Sequence, residues 1–328
     1  MKSGGSVVAL IQVLPVLLCF ALGSQLQAMS ERSPLIVDVV LGEPVTMDTM
    51  VDDLAAVKIV YIGEVHTIKE HHALEARILD HLADRKIKLA LGMEMFAGRQ
   101  QEILDRWQEG NESLEHLIRD LGADHWTNLT DYGPLLLSAR ERRIPILGLN
   151  ADDSLVRKVA WKGLDGLSAS EKRLVPAGVT PVDPLSDRLL RLRLKVHRAF
   201  QATGLHNVVL AQALRDQTMA TTVARFLRSA QGKDRLILVV AGTGHMSYGL
   251  GIPSRVERIK KTPHRIVVLS ESGHLVLTEA EKRESVPIEI THADLEFLRR
   301  PIGDYLYILP SKTKSEPAEP HAYQADRT

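Results

Sequence analysis

The sequence predicts an α/β fold: a mostly parallel central sheet flanked by helices, with helical insertions between some of its units. Two observations predict it. Short unbroken runs rich in Val, Ile and Leu recur at 58–62, 89–93, 144–147, 208–210, 236–241, 266–269 and 305–309, and continuous apolar runs are how strands buried on both faces read. Stretches with a helical period lie between the runs, and strands alternating with helices mark an α/β architecture. We expect one domain over residues 29–310 of the 328-residue chain.

The first 28 residues read differently. Lys2 precedes an apolar run over 7–22, broken by Gln12 and Pro15, and small residues come after it at Gly23 and Ala28. This is the pattern of a secretory signal peptide. A membrane span needs about 20 apolar residues in a row, so we expect residues 1–28 to be removed and the mature protein to be periplasmic. The chain has a single cysteine, Cys19, inside this leader. Lipoprotein processing would leave Cys19 acylated and tether the protein to a membrane. Leu18 before it is bulky where such signals carry a small residue, which favours the soluble form.

After the run at 58–62, Thr67 and Glu70 have capping-box spacing, which predicts Thr67 as a helix N-cap. Leu74, Ile78 and Leu82 then recur every four residues as one buried stripe. That places Glu64 and His66 in the strand-to-helix loop, His71 on the inward side and His72 on the exposed side. Residues 98–130 hold a helical insertion around Ile103, Leu104 and Trp107, with Asp131-Tyr132 directly after it. A second insertion spans 152–204 and has capping-box spacing from Ser168 to Glu171. It contains "DRLLRLRLKVHRAF" at 187–200, a basic amphipathic helix that reads as a solvated face, or as a lid or partner surface over the site. The polar segment 311–328, with Pro317 and Pro320, reads as a disordered tail.

Composition excludes some functions. Lys and Arg number 41 against 41 Asp and Glu, and aromatics make up 4%, which argues against a nucleic-acid binder with its basic face and stacking rings. The stretch "GTGHMSYGLG" at 242–251 lacks the Lys-Ser/Thr of a phosphate loop and the spacing of a dinucleotide fingerprint.

Ligands of open parallel sheets bind beyond the carboxyl ends of the strands. The polar residues just after the runs are therefore the candidates: Glu64 and His66, Glu94, Asn150, Gln212 with Asp216, and His245. Imidazoles and carboxylates together suit a divalent metal such as zinc or manganese. A histidine beside a carboxylate equally suits general-base activation of water. Gly63, Gly242 and Gly244 are expected to permit the turns that aim these groups.

The segments "IGEVHTIKEHH", "GMEMF", "DYGPLLLSARERRIPILGLNA", "LAQALRDQTMA" and "VVAGTGHMSYGLGIPSRV" together resemble the ChaN family of exported haem-binding proteins. That family is grouped with the erythromycin esterases and the TIKI/TraB proteins. The resemblance covers roughly residues 35 to 270. It implies a site at Glu64, His66, Glu94 and His245, serving as metal ligands or catalytic groups if the chain is a hydrolase of esters or amides. It also implies haem binding and a role in iron acquisition, with a homodimer as one arrangement. No C-x-x-C-H occurs, so haem would be held non-covalently by a His, Tyr or Met. Tyr132 in "DYGP" and Tyr248 are the rival tyrosine ligands, with His71 and His245 as the imidazole candidates. The resemblance alone leaves carrier and enzyme both open.

Overall fold

The structure, a computed structural model, describes residues 34–310 except 123–125, 181, 197–204, 278 and 287–288. The leader with Cys19, the tail and the end of the basic helix therefore lie outside the described residues. In chain order the elements are β1 (Leu35–Asp38), β2 (Glu43–Val45), α1 (Met47–Leu54), β3 (Ile59–Glu64), α2 (Lys69–Asp84), β4 (Leu89–Ala97), α3 (Gln101–Glu109), α4 (Leu114–Leu121) and α5 (Gly133–Glu141). They continue with β5 (Ile146–Asn150), α6 (Asp153–Lys162), α7 (Ala169–Lys172), α8 (Pro184–Leu194), α9 (Leu205–Phe226), β6 (Leu236–Gly242), α10 (Ile252–Ile259), β7 (His264–Leu269), α11 (Glu279–Glu284), α12 (His292–Leu295) and β8 (Tyr305–Ile308).

All eight strands form one sheet in the order β2-β1-β8-β7-β3-β6-β4-β5. The six strands from β8 to β5 are mutually parallel, and β1 and β2 add an antiparallel edge. The sheet is mixed and mostly parallel, as the apolar runs predict. Side chains alternate across β3. Val60 and Ile62 pack in a cluster with Leu74, Ile78 and Leu82 of α2 and Leu135 and Leu136 of α5. Ile59 and Tyr61 pack in the opposite cluster with Met219 and Val223 of α9 and Ile252 and Val256 of α10. Strand β3 is buried along its whole length, and a strand with helices on both faces must be apolar on both.

The order of the strands decides where a site can form. The chain runs outward from β3 to β4 and β5, then returns to place β6 between β3 and β4 before continuing to β7 and β8 on the other side. The direction of winding reverses there, so the carboxyl ends of β3, β6 and β4 meet at the switch point of the sheet.

Three expectations are corrected. The run at 208–210 is not a strand but lies in the first turns of α9. Its burial continues through Leu214, Gln217, Ala220 and Val223, a spacing of three to four that belongs to a helix. Thr67 is not the N-cap of α2. That position falls on Ile68, which offers no side-chain acceptor, and the chain enters the helix through a turn closed by Ile68 N–H to Val65 O at 3.0 Å. Finally, β4 runs past Met93 to Ala97, with an irregular register against β5 between those two residues.

Candidate functional site

Glu64 is the last residue of β3, and His66 lies in the turn to α2. Glu94 lies within β4, beside the carboxyl end of β6, where its Oε2 accepts the Gly242 N–H at 2.8 Å. His245 comes from the short turn after β6, and Asp216 and Gln212 come from α9. Residues from four separate segments thus meet at one rim.

They form a chain of alternating carboxylates and imidazoles. Glu64 Oε1 lies 2.8 Å from His66 Nδ1 and accepts the Tyr132 hydroxyl at 2.5 Å. His66 Nε2 stands 3.7 Å from Glu94 Oε2. Glu94 Oε1 is 3.0 Å from His245 Nε2, and His245 Nδ1 is 2.5 Å from Asp216 Oδ1. The Gln212 amide lies 3.0 Å from the same His245 nitrogen. Asn128 donates its side-chain N–H to the His66 carbonyl, and the Trp126 ring meets the His66 ring edge-on at 5.0 Å between centroids. Asn150, at the end of β5, donates to the Glu94 carbonyl at 3.0 Å and so stays one step behind the chain.

Burial and charge set the protonation states. Burial works to raise Glu64, but His66 and His72 hold it well below the usual carboxylate range. Burial works against the charged His66, yet contact with Glu64 and the charge of Glu94 raise it overall. His245 loses solvation too, but Glu94 and Asp216 on its two nitrogens push it up to about 10. Glu94 is correspondingly held low against the cost of its burial.

Glycine serves this rim at two positions. A Cβ on Gly242 would come within 2.7 Å of His66 Nε2, and Gly251 has φ +67° with a Cβ that would sit 2.3 Å from the His245 carbonyl. Gly63, Gly242 and Gly244 do not have positive φ. The left-handed backbone falls instead at Tyr248, Gly249 and Gly251.

The family model described as haem-binding uptake, Tiki superfamily, ChaN, matches residues 50–256. The chain belongs to the ChaN family. Among solved structures, the ChaN of Campylobacter jejuni, described as showing cofacial haem binding, shares the fold with a TM-score of 0.61. It is 19% identical, and the match covers 84% of this chain and 96% of that one. A mutant of the erythromycin esterase EreC in an open conformation matches with a TM-score of 0.48 at 12% identity, covering 83% of this chain and 95% of that one. A curated relative, the chloroplastic Protein RETICULATA-RELATED 5 of Arabidopsis thaliana, is 27% identical over 265 residues, covering 74% of this chain. The chain spans about a third of that relative's length, 36%.

In this ChaN-family chain the structure brings Glu64, His66, Glu94 and His245 together, but as a linear chain. Among the described residues the group whose ligand atoms lie within 4.8 Å of one another is Glu64, His72 and Glu75. The four rim groups pair with each other instead of converging on one point. Tyr132, one of the two expected tyrosine ligands, is fully buried and donates to Glu64. His71 is also buried. Its Nδ1 accepts the Val65 N–H at 3.0 Å and its Nε2–H donates to the Ser270 carbonyl at 3.1 Å, and burial pushes it down to about 4, so it is a neutral brace between α2 and the end of β7. Tyr248 is half-buried on the turn after His245, and its N–H donates to the Ile302 carbonyl at 2.7 Å.

Two groups escape a reading of the sequence. His72 is not exposed: it is fully buried, with Nδ1 2.8 Å from Glu64 Oε2 and the Tyr132 ring 3.8 Å away. Glu75 is fully buried beside it, and burial, reinforced by the Glu64 charge, raises it well above the carboxylate range. A wheel at about 100° per residue places Glu75 next to Leu82 on the inward face. That signal is present in the sequence, but a stripe drawn through the leucines alone passes it by.

A haem iron takes a His, Tyr or Met donor, and His66 can offer one when its imidazole is neutral. Contact with Glu64 settles the proton on Nδ1, which leaves Nε2 without a hydrogen bond on a side chain 24% exposed. The flanking clefts are small. One of about 40 Å³ touches Glu94, Trp126 and Asn150, and one of about 30 Å³ touches Gln212, Asp216 and Gly244. Each has room for a few waters, so at this site a macrocycle would have to lie across the open rim.

The His245 contacts give a pH signature. Its folded value of about 10 exceeds an unfolded value near ~6.5. The stabilisation is therefore complete below about pH 6.5 and is lost as pH rises through about 10. Glu94 is depressed, so its contribution is complete above the ordinary value near ~4.3 and is lost as pH falls through its lower folded value. Both are whole between about pH 4.5 and 6.5. His245→Ala is expected to cost about 3–5 kcal/mol in that window, as for other broken buried pairs, and the gap from wild type should shrink by about pH 10. Thermal melts across that range measure it, and a pH-independent gap would refute the charge assignment.

Proposed function

We propose that this chain binds haem non-covalently across the open rim of its switch-point site, and that it acts outside the inner membrane in haem or iron acquisition. The observation that carries the reading is His66, the half-open imidazole of a ChaN-family site, with its Nδ1 tied to Glu64 and its Nε2 free of hydrogen bonds. Bound haem would supply an iron centre for ligation. Glu64 keeps the His66 tautomer fixed and Tyr132 keeps Glu64 in place. A haem lying on an open rim leaves its outer face free, which supports a second copy of the chain as a partner. The cofacial binding described for the Campylobacter jejuni ChaN suits the same arrangement. Titration of the apoprotein with hemin is expected to give a saturable Soret shift, weakened at least tenfold in His66→Ala and unchanged in Tyr248→Phe. No saturable shift would sink haem binding, and equal affinity in His66→Ala would sink the assignment of the ligand.

One observation favours hydrolysis as a second reading. His66 and Glu64 form an imidazole ordered by a carboxylate, next to clefts sized for water. His66 would take a proton from water once neutral, and its raised pKa predicts activity that climbs towards alkaline pH. An ester and amide panel should then be turned over by wild type and not by His66→Ala or Glu94→Ala. Inert protein at every pH would remove this reading.

Export is the third part of the proposal, and the leader pattern supports it. Mass spectrometry of the protein from its native host should find a first residue after Gly23 or Ala28. An acylated Cys19 would instead make it a tethered lipoprotein, and an intact Met1 in a cytosolic fraction would end the acquisition role.

A further inference from the structure

Beneath the rim lies a cluster that neither the haem nor the hydrolase reading uses as a whole. Glu64, His72 and Glu75 are each 1% exposed or less. One ligand atom from each lies within 4.8 Å of the others. Glu64 Oε2, His72 Nδ1 and both oxygens of Glu75 are buried without an aligned hydrogen bond. His72 Nδ1 approaches Glu64 Oε2 to 2.8 Å and Glu75 Oε2 to 3.5 Å, but these are close contacts without hydrogen-bond alignment.

Such an arrangement is costly when empty. A buried polar atom without a partner loses its hydration for no return, and a buried carboxylate loses most. Here four such atoms from three residues face one another beside the apolar stripe of α2. From this geometry we propose that Glu64, His72 and Glu75 form an interior site for one divalent transition-metal ion, of the zinc or manganese class.

The donor chemistry fits that class. Carboxylate and imidazole donors suit zinc and manganese, and Glu75 has both oxygens to offer. The surroundings prepare the ligands. His72 Nε2–H donates to the His66 carbonyl at 3.1 Å, which leaves Nδ1 as the nitrogen facing the two carboxylates, where an ion would take the place of its proton, and a bonded second nitrogen is the usual way a ligating histidine is oriented. Tyr132 stacks over the His72 ring and donates its hydroxyl to the other oxygen of Glu64. The ion would thus take Glu64 Oε2 and leave Oε1 to His66 and Tyr132. It would be a positioning ion for the rim, one residue removed from the chemistry there, and it is separate from the rim chain, whose groups do not converge.

The test uses the full chain, stripped with a chelator, dialysed, and equilibrated with zinc or manganese alone. Elemental analysis should find one ion per chain, and the melting temperature should rise on loading. Glu75→Gln removes a charge but keeps the shape of the side chain. It should bind the ion at least tenfold more weakly, whereas His66→Ala, a change at the rim, should still bind it. If Glu75→Gln does not fold, the stoichiometry and melting shift of the wild type decide the matter by themselves. Three results would overturn the site: wild type that retains no ion and shows no shift with either metal, Glu75→Gln that binds as well as wild type, or binding lost in His66→Ala but kept in Glu75→Gln. None depends on hemin or on ester turnover, so failure here is distinguishable from failure of the haem or hydrolase reading.

Discussion

The carboxylate of Glu64 is buried at the carboxyl end of the central strand, and the surrounding structure is arranged around keeping it ionised. A lone ionised carboxylate in an apolar interior is untenable. Here Oε1 is held by His66 and Tyr132, and Oε2 lies against His72. Each of these partners is itself fixed elsewhere: His72 to the His66 carbonyl, and Tyr132 by the apolar packing around α5. The entry to α2, the turn before α5 and the end of β3 are therefore locked by one charged group.

The same logic extends across β6. Glu94 and Asp216 bracket His245 from β4 and α9, so a strand and a helix far apart in the chain share one proton-bearing ring. A row of alternating charges is electrostatically self-satisfying in a low-dielectric setting. It also leaves most of its members unavailable to a ligand. His66 is the exception, because the rim opens beside it and Gly242 lies close beneath its Nε2. A site that looks crowded with ligands in sequence thus presents one open imidazole in space.

Much of this is legible in the residues. Six of the seven apolar runs are strands of the sheet, because burial on both faces leaves an unmistakable composition. Glu64, His66, Glu94 and His245 stand out as the polar residues just past the apolar runs, a rule that works because parallel strands carry their ligands at one end. The seventh run, 208–210, misleads because three apolar residues carry no period of their own. His72 is misplaced when two adjacent histidines on a helix are assigned to opposite faces, whereas α2, packed between the sheet and the loop of Tyr132, buries residues well around its circumference. Glu75 escapes notice because charged side chains rarely go inside unless paired.

The sequence by itself determined the type of most of the main elements, the apolar faces they bury and the strand ends that carry polar groups. These come from local periodicity and composition, which the chain cannot disguise. Only the tertiary structure decided that β6 inserts between β3 and β4, and hence that Glu94 meets His245 while Glu64 meets Tyr132 and His72. Strand order depends on how whole layers of helices pack, not on any local pattern. Protonation was decided there too, since it depends on which charges share a desolvated interior.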